Sequence, residues 1–190
     1  MCISYTETYM NLYHGTTDIN AAQIVASQCF IPSKSGWCGA GVYFYDIKSK
    51  AWWSARRTCQ NVRKNGITNV KEEVVEADII DLDKKYILDL RAPRSLQEFA
   101  MFVDAFLEEN DFEVTDTEDE FEANNIKRAM LISFFCKKRN IKLVVGYFKQ
   151  KAQSQIDQMK SFADDWLLVI GIENIFCVKD NTILKNIRRR

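Results

Sequence analysis

Leu12-Tyr13-His14-Gly15-Thr16-Thr17, thirteen residues of helical pattern, a Gly-rich loop, then Gly39-Ala40-Gly41-Val42-Tyr43-Phe44-Tyr45: the order of these segments decides how the chain is read. Asp18 is placed to cap a helix whose apolar positions Ala21, Ala22, Ile24, Val25 and Phe30 recur every three to four residues, so the stretch predicts strand, turn, helix. Pro32, Ser33, Ser35, Gly36, Gly39 and Gly41 are turn formers, and Val42 to Tyr45 is a compact β-branched and aromatic run, hence a second strand. His14 is the only histidine in 190 residues, and Gly15 behind it leaves room for a ligand to approach the backbone. His14 and Tyr43 are thus expected on adjacent strands. On spacing alone, a lone histidine after an apolar strand and a tyrosine within one belong more often to packing than to chemistry.

Outward from this stretch, Ser49 opens a predicted helix through Ala51, Trp52, Trp53 and Ala55 to about Val62, broken at Asn65 and Gly66. Val74 to Ile80 and Tyr86 to Leu90 predict two strands that extend the sheet, joined by a turn over 81–85. Ser95 is placed to cap a helix with Leu96, Phe99, Met101, Phe102, Ala105 and Phe106 on the face that covers the sheet. A polar break over 110–117 follows. Glu122 to Arg139 predicts a second helix, with Ile126, Met130, Ile132, Phe134 and Phe135 inward and three basic residues at its carboxyl end, where the helix dipole favours them. Ile141 to Phe148 predicts a strand and 149–162 an exposed loop or short helix. Trp166 to Ile170 and Ile172 to Val178 predict strand runs with a bulge or bend at Gly171.

At 47% apolar the chain can bury a sizeable core, and without a linker or a repeat it is expected to form one domain over 1–190. No stretch approaches the roughly 20 apolar residues that span a bilayer, and the amino terminus lacks the basic and apolar regions of an export signal, so a soluble, cytoplasmic protein is expected. Six cysteines without a C-x-x-C pair predict free thiols, and one histidine leaves a metal site short of ligands. The 26 basic and 26 acidic residues cancel but segregate: 108–122 carries nine carboxylates and no cation, whereas Lys48 to Lys71 carries seven cations and no carboxylate. Such runs are usually solvated faces, though the basic one also suits a phosphate-bearing target or a pyrophosphate.

His14-Gly15-Thr16, a helix, a Gly-rich loop and Gly41-Val42-Tyr43-Phe44, followed by Ser49, Lys50 and Ala51, resemble the signature of ADP-ribosyltransferases of the poly(ADP-ribose) polymerase-like branch. Glu173-Asn174-Ile175-Phe176-Cys177-Val178 resembles that family's closing strand. The resemblance implies an α+β fold built on a split antiparallel sheet flanked by helices. It implies an NAD+ site with His14, Tyr43 and Glu173 as the catalytic set. His14 would bond the adenine-side ribose and the Gly15 backbone the nicotinamide carboxamide, with Thr16 beside them and Tyr43 packed at the nicotinamide end. At the two positions where the family clamps nicotinamide with a hydroxyl residue and a second tyrosine, this chain has Ala51 and Ser54; Ser49 is placed to replace the first, and Trp52 or Trp53 the second. Asn174 neighbours Glu173, and a one-residue shift of register would exchange their faces.

The chemistry so implied is cleavage of the nicotinamide glycosidic bond through an oxocarbenium-like ribosyl cation, without a metal. Glu173 would stabilise the cation at the ribose 2′-hydroxyl. A chain this short implies mono-ADP-ribosylation of a macromolecular acceptor, protein, RNA or DNA. Small solitary members resemble bacterial or phage toxins of toxin-antitoxin or antiviral-defence systems, which implies a neutralising antitoxin protein. Three rivals stand beside this reading: an NAD+ glycohydrolase, an RNA 2′-phosphotransferase, for which one histidine is too few, and an inactive NAD- or ADP-ribose-binding or protein-interaction module.

Overall fold

A computed structural model describes residues 10–79, 82–110, 120–149 and 172–190. The expected turn at 81, most of the polar break after Asn110, the loop or helix over 150–162, the strand over 166–170 and the bend at Gly171 lie outside the described residues. The described chain is α+β. Seven strands form one mixed sheet, with β1 (Met10–Thr17), β2 (Val42–Tyr45), β3 (Glu72–Ile79), β4 (Ile87–Asp89), β5 (Leu143–Lys149), β6 (Ile172–Val178) and β7 (Leu184–Arg189) in the order β4-β5-β6-β2-β1-β3-β7. Four helices accompany them: α1 (Asp18–Ser27), α2 (Lys48–Lys64), α3 (Pro93–Glu109) and α4 (Glu120–Arg139).

The sheet is not wholly antiparallel, because β4 pairs with β5 in parallel; that geometry needs a long crossover, and α3 and α4 supply it. The two strands expected to extend the sheet together lie far apart, β4 at one edge and β3 inside the other beside β7. Alternation along the strands sorts the core onto two faces. Leu12, Phe44, Val145, Phe176 and Val178 face α1 residues Ala21 and Ile24 and the loop residue Phe30. Val144 and Cys177 face Ile132, Phe135 and Cys136 of α4. On this second face α2 lies over β1, so β2 runs beneath the space between α2 and α4.

Local chemistry moved several boundaries. Thr17, not Asp18, caps α1: its hydroxyl accepts from the Asn20 N–H at 3.2 Å, and Asp18 instead accepts from the Lys71 N–H at 3.0 Å. The helix stops at Ser27 because Gln28 takes a left-handed conformation, which leaves Phe30 to the loop. For α3 the start is set by Pro93 in the first turn after Ala92, and Ser95 already lies inside it. Its apolar face covers the β4 end of the sheet together with α4: Phe99 and Phe102 pack on the cluster that Leu88 of β4 and Val144 of β5 share with Phe135, meeting that ring edge-on. Leu96 and Met101 stay exposed, and Met130 and Phe134 of α4 are also more than a third exposed.

Candidate active site

Three segments quoted from the sequence meet on three neighbouring strands, β6-β2-β1. β1 and β2 are joined by one ladder pair, Tyr13 with Tyr45, and then part, so the β2-facing edge of Gly15 to Thr17 has no ladder partner among the described residues. Across that split the His14 Nδ1–H donates to the Tyr43 carbonyl at 2.8 Å. This bond fixes the tautomer, leaving Nε2 as an acceptor. The imidazole sits edge-on to Phe30 (5.3 Å between centroids) and tilted against Phe44 (5.6 Å). Burial lowers its pKa, and the bond to Tyr43 opposes this only in part, so His14 is neutral at pH 7.

The side chains of His14 and Tyr43 leave the sheet on opposite faces: His14 packs with Phe44, whereas Tyr43 packs with Cys177 and the α4 layer. The Tyr43 phenol seats the Gly-rich loop. Its O–H donates to the Gly39 carbonyl at 2.5 Å and its oxygen accepts from the Cys38 N–H at 3.0 Å. A Cβ on Gly36 would fall 2.4 Å from that oxygen, so the loop closes over the ring only because residue 36 lacks one. Desolvation, with Cys177 nearby, raises the phenol pKa, and Tyr43 stays protonated throughout the physiological range. Lys179 completes the closure, donating to the carbonyls of Cys38 (2.5 Å) and Ala40 (2.6 Å). Under the loop lie three thiols, Cys38, Cys136 and Cys177; burial pushes the first two up to about 12 and raises the third. The described cysteines are all free, as expected from the sequence, and Cys2 lies outside the described residues.

Gly15 does meet a close approach, from the chain itself. A Cβ there would lie 1.9 Å from the Ala51 carbonyl oxygen and 2.6 Å from the Ala55 nitrogen, so α2 rests its backbone on β1. Thr16 is buried, its hydroxyl accepting from the Asn20 side chain at 3.4 Å. Ser49 is exposed in the first turn of α2. Trp53 is turned outward, 37% exposed beneath the Arg57 guanidinium at 5.0 Å, and is not brought to Gly15.

Glu173 is the second residue of β6, where its backbone pairs with Phe148; its side chain lies outside the described residues. Asn174 is held on both sides. Its Nδ2 donates to Asp46 at 2.6 Å and its Oδ1 accepts from Arg91 at 3.1 Å, while Arg91 grips Asp89 through two bonds of 2.8 Å. The hydrogen bonds from Arg91 lower the pKa of Asp89, and the pair stays ionised. This four-residue network was missed in the sequence, where the spacing Asp89-Leu90-Arg91 was the one available signal.

Compared with family models, curated proteins and solved structures, the chain finds no match. Among the described residues no group of His, Cys, Asp or Glu is arranged to hold a metal ion, and no helix is long and apolar enough to cross a membrane. A cavity of about 620 Å³ lies between loop residues Lys34 to Ala40 and α4, with no residue of β1 or β2 in its lining; Trp37, Ile126, Met130 and Phe134 give it a largely apolar wall.

Proposed function

We propose that the chain is a mono-ADP-ribosyltransferase of that fold, with a parallel edge pair added to its split sheet, transferring ADP-ribose from NAD+ to a macromolecular acceptor. The observation that carries the reading is the strand order β6-β2-β1: segments as distant in sequence as His14-Gly15, Gly41-Val42-Tyr43-Phe44 and Glu173 become neighbours, and β1 parts from β2 just where Gly15 faces Tyr43. An unladdered backbone edge beside a glycine supplies a donor and an acceptor to a carboxamide, which is what the nicotinamide end of NAD+ presents.

In this reading the bond from ribose C1′ to the nicotinamide nitrogen breaks, nicotinamide leaves with the bonding electrons, and the ribosyl cation is captured by an acceptor nucleophile that loses its proton. Glu173 stabilises the cation. Tyr43 acts through the loop it seats. His14 acts from the opposite face of the sheet, through the bond to the Tyr43 carbonyl that holds β2 at the split. Because Ala51 lies against Gly15 and Trp53 points away, the nicotinamide ring would be held chiefly by the strands.

The test is nicotinamide release by purified protein. Glu173→Gln is expected to lower the rate by roughly a hundredfold or more with NAD+ affinity nearly unchanged, and His14→Ala to weaken both affinity and turnover. Near-normal release by Glu173→Gln would overturn the assignment. Free ADP-ribose as the sole product would favour a glycohydrolase. A toxin role adds that expression arrests a bacterial host and that a partner protein relieves the arrest; normal growth with an NAD+-consuming product would remove that role.

A further inference from the structure

The outer face of α2 combines cations, amides and an exposed indole in a way its packing does not explain. Ala51, Ala55 and Cys59 form its buried side. Between Lys48 and Lys64 the helix holds six Lys or Arg and no carboxylate, in a chain whose total charge is zero. Arg63 is engaged with Glu72 at 3.2 Å and with the Val70 carbonyl, so its guanidinium is already spent within the fold. Arg57 and Lys64 are exposed with Trp53, and at 3.6 residues per turn these three line the side opposite the alanines over about 16 Å; Arg56, also exposed, flanks them on the side of Arg63, where its charge also acts on Glu72. Trp53 and Arg57 are already stacked, the arrangement that presents one planar surface and one charge to a base and its phosphate.

We propose that this face binds single-stranded RNA, with a base on Trp53 and phosphates on Arg56, Arg57 and Lys64. A single strand is favoured over a duplex because only an unpaired base offers its ring face to an exposed indole. RNA is favoured over DNA because Gln60 and Asn61, exposed between the cations, supply donors and acceptors for a 2′-hydroxyl. As the face that delivers the acceptor strand, it rests on the transferase reading, since α2 packs directly on Gly15. As a binding face it stands apart from that reading.

The experiment is fluorescence anisotropy of a labelled single-stranded RNA of about 12 nucleotides with the full chain, between about 50 and 200 mM salt. Three phosphate contacts predict a slope of log affinity against log salt near −2, hence roughly a 16-fold loss over that range, and Arg56→Gln/Arg57→Gln/Lys64→Gln is expected to flatten it. Trp53→Ala is expected to weaken binding about fivefold or more and Trp53→Phe to restore most of it. These positions are exposed, and circular dichroism checks that the variants fold. Unchanged affinity in the variants, no binding, or equal binding of a poly-glutamate peptide, an RNA duplex or DNA of the same sequence would overturn the proposal. Nicotinamide release without RNA, measured on the same proteins, separates the two ideas. RNA binding without release keeps the face and removes the transferase; release without RNA binding does the reverse.

Discussion

Replacing Gly15 by alanine should cost more than any other single methyl added to β1, and the size follows from the contact with α2. The new Cβ would meet the Ala51 oxygen at 1.9 Å, the Ala55 nitrogen at 2.6 Å and the Ala51 carbonyl carbon at 2.9 Å. Ordinary contact begins near 3.4 Å, so α2 must retreat by about 1.5 Å. No rotamer relieves the clash, because all three atoms are backbone. Overpacking of a closed core costs about 1–3 kcal/mol, and a clash against a helix backbone belongs at the upper end. For a domain of this size about 3 kcal/mol lowers Tm by roughly 6–12 °C. Urea unfolding should show a lower midpoint with an unchanged slope. Gly66→Ala is the control: nothing lies within 4 Å of its Cβ, but φ of +91° is unfavourable for alanine, so about 1 kcal/mol is expected. A Gly15→Ala protein within about 0.5 kcal/mol of the parent would refute the reasoning, since it would mean that α2 does not rest on β1 through this glycine.

Tyr43→Phe removes the hydroxyl that bonds the loop at Gly39 and Cys38; a loss of about 1–2 kcal/mol is expected, and unchanged stability in thermal melts would show that Lys179 alone holds the loop. Glu76 is 1% exposed and bonded by Arg188 and Arg190, which keep 36% and 47% of their side chains in solvent, so Glu76→Gln should cost about 2 kcal/mol rather than the 3–5 of a fully buried pair. The bond from Arg190 leads in lowering the pKa of Glu76; for Asp78, bonds from Arg188 and Asn186 outweigh a raising by burial. Depressed carboxylate values mean that this stabilisation is present above the ordinary carboxylate range and is lost as pH falls through the lower folded values; acid melts of the parent and of Glu76→Gln should converge there. His14 behaves in the same direction at higher pH. Its folded pKa is lowered, so its neutral packing stabilises fully above about pH 6.5 and progressively less below, and His14→Phe should abolish that part of the pH dependence of Tm.

What was legible in the sequence was what depends on neighbours along the chain. Val42 to Tyr45 is bounded by glycines and a polar segment and forms β2 as read, and the Asn65-Gly66 break ends α2 because Gly66 takes a positive φ. Gly15 signalled a close approach, but which group approaches depends on the sheet face that α2 covers, and that is a long-range choice. Leu184–Arg189 has little strand character of its own; it becomes β7 because Arg188 and Arg190 find Glu76 and Asp78 across the sheet. The apolar pattern of α3 put Leu96, Phe99 and Phe102 on one face, without showing that the β4 edge and α4 would leave Leu96 at its margin; Met101, two residues from Phe99, lies on the other side of the helix and is exposed. At the site, the residue types were readable from the signature. That His14 reaches the Tyr43 carbonyl while the phenol turns to the other face follows from strand alternation combined with the split.

The thiols beneath the Gly-rich loop give the molecule a clock for its own opening. Only a thiolate is alkylated quickly, and Cys38 and Cys136, with values near 12, present almost none at neutral pH while the loop is shut. Each labelling event therefore counts an excursion in which the loop has lifted from α4 and water has reached the sulfurs, and the rate divided by that of an unshielded cysteine is the open fraction. Cys29, exposed just ahead of the loop, is the unshielded cysteine on the same chain. A small molecule that fills the cavity between the loop and α4 would slow the buried sulfurs and leave Cys29 untouched, so occupancy can be timed without knowing what is transferred, or to what.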